Sequence, residues 1–284
     1  MFNQIKNILL LFFVISLTAC SYSPDALKKL YAELPKELAG DIKESVDLTA
    51  KQSAMVDDYA RQLAQWHRHN KLPEYSQLFA QLAQLTRQNK PSINALQQLL
   101  SKIDDMPHFY QARHLSYKMA AVGRSLNRHQ ISQLAKSQQR KYEEERLSIS
   151  NHHLAMETKD DLTKLFSFIG VTLNAEQMQI LTTEAKRLHD IRYAELEAEK
   201  KSNHQLIQLL KQPNNPQFVA RFSQLWDMNK PKLSTADAQK RQQNQRTFAL
   251  LIQKLIISFS VEQRNQLANK LFSISHTFSE MANE

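Results

Sequence analysis

The sequence predicts an all-α protein, a helical bundle built around a long antiparallel helical hairpin, with no sheet. Three observations carry this expectation. Only 3 of the 284 residues are Gly, whereas β-rich folds need glycine at turns and bulges. Apolar residues recur at helical spacing along most of the chain, and no segment shows a run of strand alternation.

The elements follow in order. Ser23-Pro24-Asp25 supplies an N-cap, a Pro at the first helical position and an early acid. Leu27, Leu30, Tyr31 and Leu34 continue that helix to Pro35. The next helix begins at Leu48-Thr49 and carries Met55, Val56, Tyr59, Leu63 and Trp66 on one face. Leu72-Pro73 is expected to close it and open another, with Leu78, Phe79, Leu82 and Leu85. Pro91 starts a helix with Ile93, Leu96, Leu99, Leu100 and Ile103. Pro107 starts one through Leu115, Met119 and Val122, with Gly123 as its C-cap. Residues 127–168 and 174–212 contain neither Pro nor Gly. With Gly170 between them, 127–169 and 174–212 read as the two arms of the hairpin. Pro213-Asn214-Asn215-Pro216 is a loop. A short helix around Phe218, Phe222, Leu225 and Trp226 follows, then a loop at Asn229-Lys230-Pro231 and two helices over about 235–258 and 261–282. The stretch 248–259, FALLIQKLIISF, is too short to span a bilayer and reads as a buried helix. Trp66 and Trp226 end apolar faces and read as core residues.

Four helix starts share one form: Leu48-Thr49-Ala50-Lys51-Gln52, Leu126-Asn127-Arg128-His129-Gln130, Leu173-Asn174-Ala175-Glu176-Gln177 and Phe259-Ser260-Val261-Glu262-Gln263. Each is a capping box, in which Thr, Asn or Ser accepts an orphan backbone N–H and Gln reaches back to the cap. Helix initiation alone accounts for every feature of the motif.

Composition excludes several kinds of chemistry. Gly40, Gly123 and Gly170 are too far apart to write a dinucleotide or phosphate loop. One cysteine makes no internal disulfide, no Cys zinc site and no C-x-x-C centre. The 10 histidines contain no H-E-x-x-H; His153 and Glu157 form an i, i+4 pair without a third ligand. His67, expected near a helix C-terminus, is explained by the helix dipole. The acid pairs Asp57-Asp58 and Asp104-Asp105 read as helix-surface or capping residues. No G-x-S-x-G is present. The expectation is no enzyme, no catalytic residue, no metal and no cofactor.

The amino terminus, MFNQIKNILLLFFVISLTAC, has a short polar start with Lys6, an apolar run Ile8–Leu17 and then the only cysteine. This is the layout of a secretory signal peptide. Leu17-Thr18-Ala19-Cys20 resembles the lipobox of bacterial lipoproteins, in which the signal is cut before an acylated cysteine. The resemblance implies a signal peptide over 1–19 and a mature chain over 20–284, which reads as one helical domain with sub-boundaries near 123–126 and 213–216. It makes Cys20 the lipid attachment point. Ser21, in place of an inner-membrane Asp, points to the outer membrane of a Gram-negative source, facing the periplasm. The formal charge of +9 is read as a solvated helix surface of mixed sign, as in KYEEER at 141–146. Its attraction for anionic lipid, lipopolysaccharide or acidic protein is the other reading. Neither nucleic acid nor a small-molecule substrate is expected.

Val46-Asp47-Leu48-Thr49-Ala50-Lys51-Gln52, followed by Trp66-His67-Arg68 and Leu72-Pro73-Glu74-Tyr75, resembles a proteobacterial lipoprotein family catalogued as domain of unknown function 6279. That resemblance implies a class and a location, and no chemistry. Leu48-Thr49-Ala50-Lys51-Gln52 also resembles the Leu-Thr-x-x-Gln mark of Spy/CpxP-type periplasmic chaperones, which the other three sites depart from.

If a shared surface exists, the sequence places it at an interaction corner of Trp66, His67, Arg68 and Tyr75, where Pro73 turns the chain. Indole, guanidinium and phenol are enriched in binding hot spots. The competing reading is that Trp66 anchors the core while His67 and Arg68 neutralise helix carbonyls. The functional expectation is a non-enzymatic envelope protein that binds other envelope proteins through long helices, with a holding chaperone or stress sensor as the alternative.

Overall fold

The computed structural model describes residues 23–227 and 232–284. The segment expected to be a signal peptide, Cys20 and the expected loop at Asn229-Lys230-Pro231 lie outside them, as does the side chain of Trp226. Among the described residues there are helices and no strand. The helices are α1 (Pro24–Lys43), α2 (Ala50–Thr86), α3 (Ile93–Asp104), a 3-10 helix (Phe109–Leu115), α4 (Ser116–Ser125), α5 (Arg128–Asn151), α6 (Leu154–Phe168), α7 (Ala175–Ala185), α8 (Arg192–Leu210), α9 (Phe218–Asp227), α10 (Thr235–Ser258) and α11 (Val261–Asn283).

Two apolar cores share one helix. Lobe I gathers Val56, Tyr59 and Leu63 of α2 with the 3-10 helix, α4, the start of α5, the end of α8 and α9. Lobe II gathers Leu72, Tyr75, Leu78, Phe79 and Leu82 of α2 with α3, α6, α7, α10 and α11. α1 contributes Ala39 to lobe I and Leu27 and Tyr31 to lobe II. The 248–259 stretch is core, as expected: Ala249, Leu251, Leu255, Ile256 and Phe259 are buried in lobe II.

The helix break expected at Pro73 is absent. α2 runs unbroken for 37 residues through Pro73, and α1 runs through Pro35. A proline inside a helix removes one backbone bond and costs about 3 kcal/mol or more. Eight large side chains of α2, from Val56 to Leu82, are buried in the two cores. At about 1.5–3 kcal/mol each, their burial exceeds that cost several-fold. Pro73 and His69, the residue whose carbonyl loses its partner, are both exposed, so water can satisfy the carbonyl.

The hairpin is present as a path but not as two unbroken arms. α5 packs on α8 and α6 on α7. Both arms are interrupted at the same level, at His152-His153 and at 186–191. Arg192, 8% exposed, holds the crossing. Its guanidinium donates to Glu157 at 2.5 Å, to the His152 carbonyl at 2.9 Å and to Asp190 at 2.6 and 3.0 Å. Buried Asn244 of α10 exchanges two hydrogen bonds with the His189 backbone, both at 2.8 Å. Tertiary polar contacts make these breaks, which is why no Pro or Gly marks them. Gly123 is also not a C-cap: it lies inside α4, where an added Cβ would stand 2.8 Å from Leu210 and 3.3 Å from Phe222. It lets α4 approach α8 and α9 closely.

All four capping boxes form, and their glutamines pair. Gln52 and Gln130 exchange amide bonds at 3.3 and 2.7 Å in lobe I. Gln177 and Gln263 do the same at 2.9 and 3.0 Å in lobe II. Each amide also donates to the carbonyl two residues before its partner's cap. Gln52 reaches Ser125, Gln130 reaches Asp47, Gln177 reaches Ser258 and Gln263 reaches Thr172. Each lobe thus carries one locally two-fold clasp that joins two helix starts. Gln130→Ala removes the amide pair and leaves the Asp47 carbonyl and the Asn127 backbone N–H without their side-chain partner, which should cost about 1–3 kcal/mol. In denaturant titrations, Gln52→Ala and Gln130→Ala should couple by about 1 kcal/mol, while Gln52→Ala and Gln177→Ala should add. Additivity in both cycles would contradict the clasp.

Candidate functional site

The polar groups with chemical potential meet where the two cores join on α2. His67 and Tyr75 are each 2% exposed, so both point inward. Tyr31 of α1 approaches His67 Nδ1 at 2.9 Å and donates to the Ala64 carbonyl at 3.2 Å. His67 Nε2 lies 3.3 Å from the Tyr75 hydroxyl, which lies 3.0 Å from His108 Nδ1. His108 follows the cis Met106–Pro107 bond and has φ 57°, a left-handed conformation that turns its ring inward between α3 and the 3-10 helix.

This chain of four side chains is satisfied with neutral imidazoles. If His108 donates to Tyr75, Tyr75 to His67 and His67 to Tyr31, the Tyr31 proton is free for the Ala64 carbonyl, and both His67 nitrogens and both phenols have partners. Burial is the main cause that pushes the His67 pKa down to about 3, with His108 and Lys71 adding to the effect. Burial also pushes the Tyr31 and Tyr75 phenols up, so both remain protonated. Phe109 packs on the His67 ring with centroids 5.0 Å apart. The arrangement fixes three helices to one another and leaves no ring nitrogen facing solvent from His67.

The sequence-predicted corner is not formed, because α2 does not turn at Pro73. Trp66 is half-buried against lobe I, with Lys71 Nζ 5.7 Å from its ring centroid and His114 beside it. Arg68 lies over the Tyr31 ring at 5.4 Å. His67 is a mid-helix interior residue and not a helix-end cation. Lys71 is buried, and its ammonium pairs with the exposed Glu74 at 2.8 Å. Asp104 is buried at the end of α3, not on the surface, and burial holds its pKa above the usual carboxylate range. Glu157 is approached by His152 at 4.0 Å, not by His153. Sequence reading missed Tyr31 and His108 as network members. Tyr31 sits at core spacing like any apolar residue, and His108 enters only through the left-handed turn.

Elsewhere α5 and α8 border a cleft of about 760 Å³, lined by Tyr142, Glu145, Leu196, Lys200 and His204 among others. Lys200 Nζ stands 4.0 Å from the Tyr142 ring centroid, and the Tyr142 hydroxyl donates to Glu197 at 2.5 Å. Among the described residues no group of three or more His, Cys, Asp or Glu could hold a metal ion. No described helix is long and apolar enough to cross a membrane.

A family model matches residues 44–249, from just before the first clasp to the middle of α10. The chain belongs to DUF6279, a family of unknown function. The matched segment holds the whole of α2, the buried tyrosine–histidine chain from His67 to His108, and both hairpin arms. No curated protein and no solved structure matches the chain, and the likeness to the Spy/CpxP-type chaperones is not shown.

The His67 environment sets a pH dependence. Its folded pKa is depressed, so its contribution to stability is complete above the unfolded value near 6.5 and is lost as pH falls below it toward about 3. The slope approaches about 1.4 kcal/mol per pH unit, so a descent from pH 6.5 to pH 5 should remove about 2 kcal/mol. Chemical unfolding at several pH values checks this. His67→Gln should be less stable at pH 7 and show a shallower slope over that window. An unchanged slope would remove His67 as its source.

Proposed function

We propose that this family member is a non-enzymatic, lipid-anchored protein of the cell envelope that acts through contacts with other proteins. The sole cysteine stands at the one position a lipobox requires, which supports attachment through Cys20. Ser21 favours outer-membrane sorting in a Gram-negative cell.

One observation carries the non-enzymatic reading: the side chains best suited to proton transfer, His67, Tyr75 and His108, are engaged with one another in the interior. The α5–α8 cleft lies elsewhere, and its helices also expose Leu147 at 52% and Tyr193 at 46%. Exposed apolar side chains beside a polar cleft suit a partner helix or loop better than a reacting small molecule. The same exposed side chains, with Met156 at 62%, favour a second reading as a holding chaperone for unfolded chains.

Two measurements test the proposal. Cys20→Ser should abolish incorporation of labelled palmitate; continued labelling would contradict the anchor. Crosslinking in cells should return a small set of stable partners that Leu147→Ala/Tyr193→Ala loses without a drop in melting temperature. Crosslinks spread over many unrelated chains, with suppression of aggregation in vitro, would favour the chaperone. Unchanged crosslinks in the folded double variant would exclude this surface.

A further inference from the structure

The net positive charge of the chain is concentrated in two segments. Residues 106–142 and 200–226 contain no Asp or Glu and eleven Lys and Arg, a sum larger than the +9 of the whole chain. The rest of the sequence is therefore slightly acidic. The two segments are far apart in sequence, yet they build the same part of lobe I. α4 packs on α9 and α5 on α8. Gly123 brings α4 against Leu210, Phe218 and Phe222, and Ser116 and Ser223 bond at 2.5 Å across the α4–α9 contact.

Around that contact stand Arg124, Arg128, Lys211 and Arg221, all exposed. Arg124 lies over the Phe218 ring at 5.1 Å, and none of the four pairs with a carboxylate among the described residues. Lys118, by contrast, is neutralised by Asp58 at 2.8 Å, on the side of the lobe where α2 runs. Tyr117 at 54% and Val219 at 37% are exposed on the same two helices, α4 and α9. Four like charges without carboxylate partners on one face are not needed for folding and cost self-repulsion.

We propose that the α4–α9 face of lobe I docks on the headgroups of an anionic lipid bilayer. A bilayer offers many mobile phosphates at once, which suits dispersed, unpaired cations better than a fixed acidic epitope does. Each Lys or Arg near such a surface adds attraction that falls off within a Debye length. An exposed tyrosine and an exposed valine on the same two helices suit the interfacial level. The inference does not depend on acylation of Cys20, and its test leaves that residue out.

The test uses residues 21–284, which include every described helix and both cores, with melting temperature as the check on folding. Sedimentation with vesicles of phosphatidylcholine containing phosphatidylglycerol should show binding that pure phosphatidylcholine lacks and that rising salt reverses. Replacing Arg124, Arg128, Lys211 and Arg221 with Gln should weaken it by about tenfold or more. Replacing exposed Lys90, Lys102, Lys186 and Arg246 with Gln removes the same charge from elsewhere and should weaken it far less. Equal losses in the two variants would assign the effect to net charge and overturn the face. Absence of vesicle binding, with or without binding to polyglutamate, would overturn the lipid proposal.

Discussion

A single helix belongs to both hydrophobic cores, and the rest of the molecule is arranged to keep it continuous. The 37 residues of α2 place Val56 to Leu63 in one lobe and Leu72 to Leu82 in the other. Between them the helix carries His67 and Lys71 into the interior, where uncompensated polar atoms would be costly. The Tyr31–His67–Tyr75–His108 series satisfies both ring nitrogens of His67, and Lys71 pairs with Glu74. The polar centre is thus the condition on which two separate apolar cores share one element.

The return connection obeys the same constraint. The hairpin arms cross from lobe I to lobe II and back, and each breaks at the crossing. A straight pair of helices could not follow both cores, and the breaks expose backbone groups that Arg192 and Asn244 collect. At the far ends of the lobes the two glutamine clasps tie helix starts together. Polar side chains therefore set the relative positions of the helices, while apolar burial supplies most of the stabilisation.

Much of the fold was legible in the sequence because capping and periodicity are local. The four boxes at Thr49, Asn127, Asn174 and Ser260 mark helix starts correctly, and 235–258 is reproduced to the residue. Proline misled the reading twice, at Pro35 and Pro73, because the penalty is local while the compensation comes from cores assembled later. The breaks at 152–153 and 186–191 were invisible for the converse reason: Arg192 and Asn244 make them through partners up to 55 residues away. The pairing of the clasp glutamines was equally hidden, since each motif is complete without a partner. The candidate site suffered most. Trp66, His67, Arg68 and Tyr75 meet at one corner only if the chain turns at Pro73, and the unbroken helix separates them into interior and half-buried positions.

The shared helix makes one prediction about cooperativity that separates this account from a pair of loosely joined lobes. Native-state hydrogen exchange along α2, followed through increasing denaturant, measures it directly. If the polar centre couples the cores, amides in the lobe I segment around 56–63 and the lobe II segment around 72–82 should converge on one global opening, with those near His67 among the most protected. Exchange of the two segments in separate openings, with a boundary at His67 to Leu72, would contradict the account.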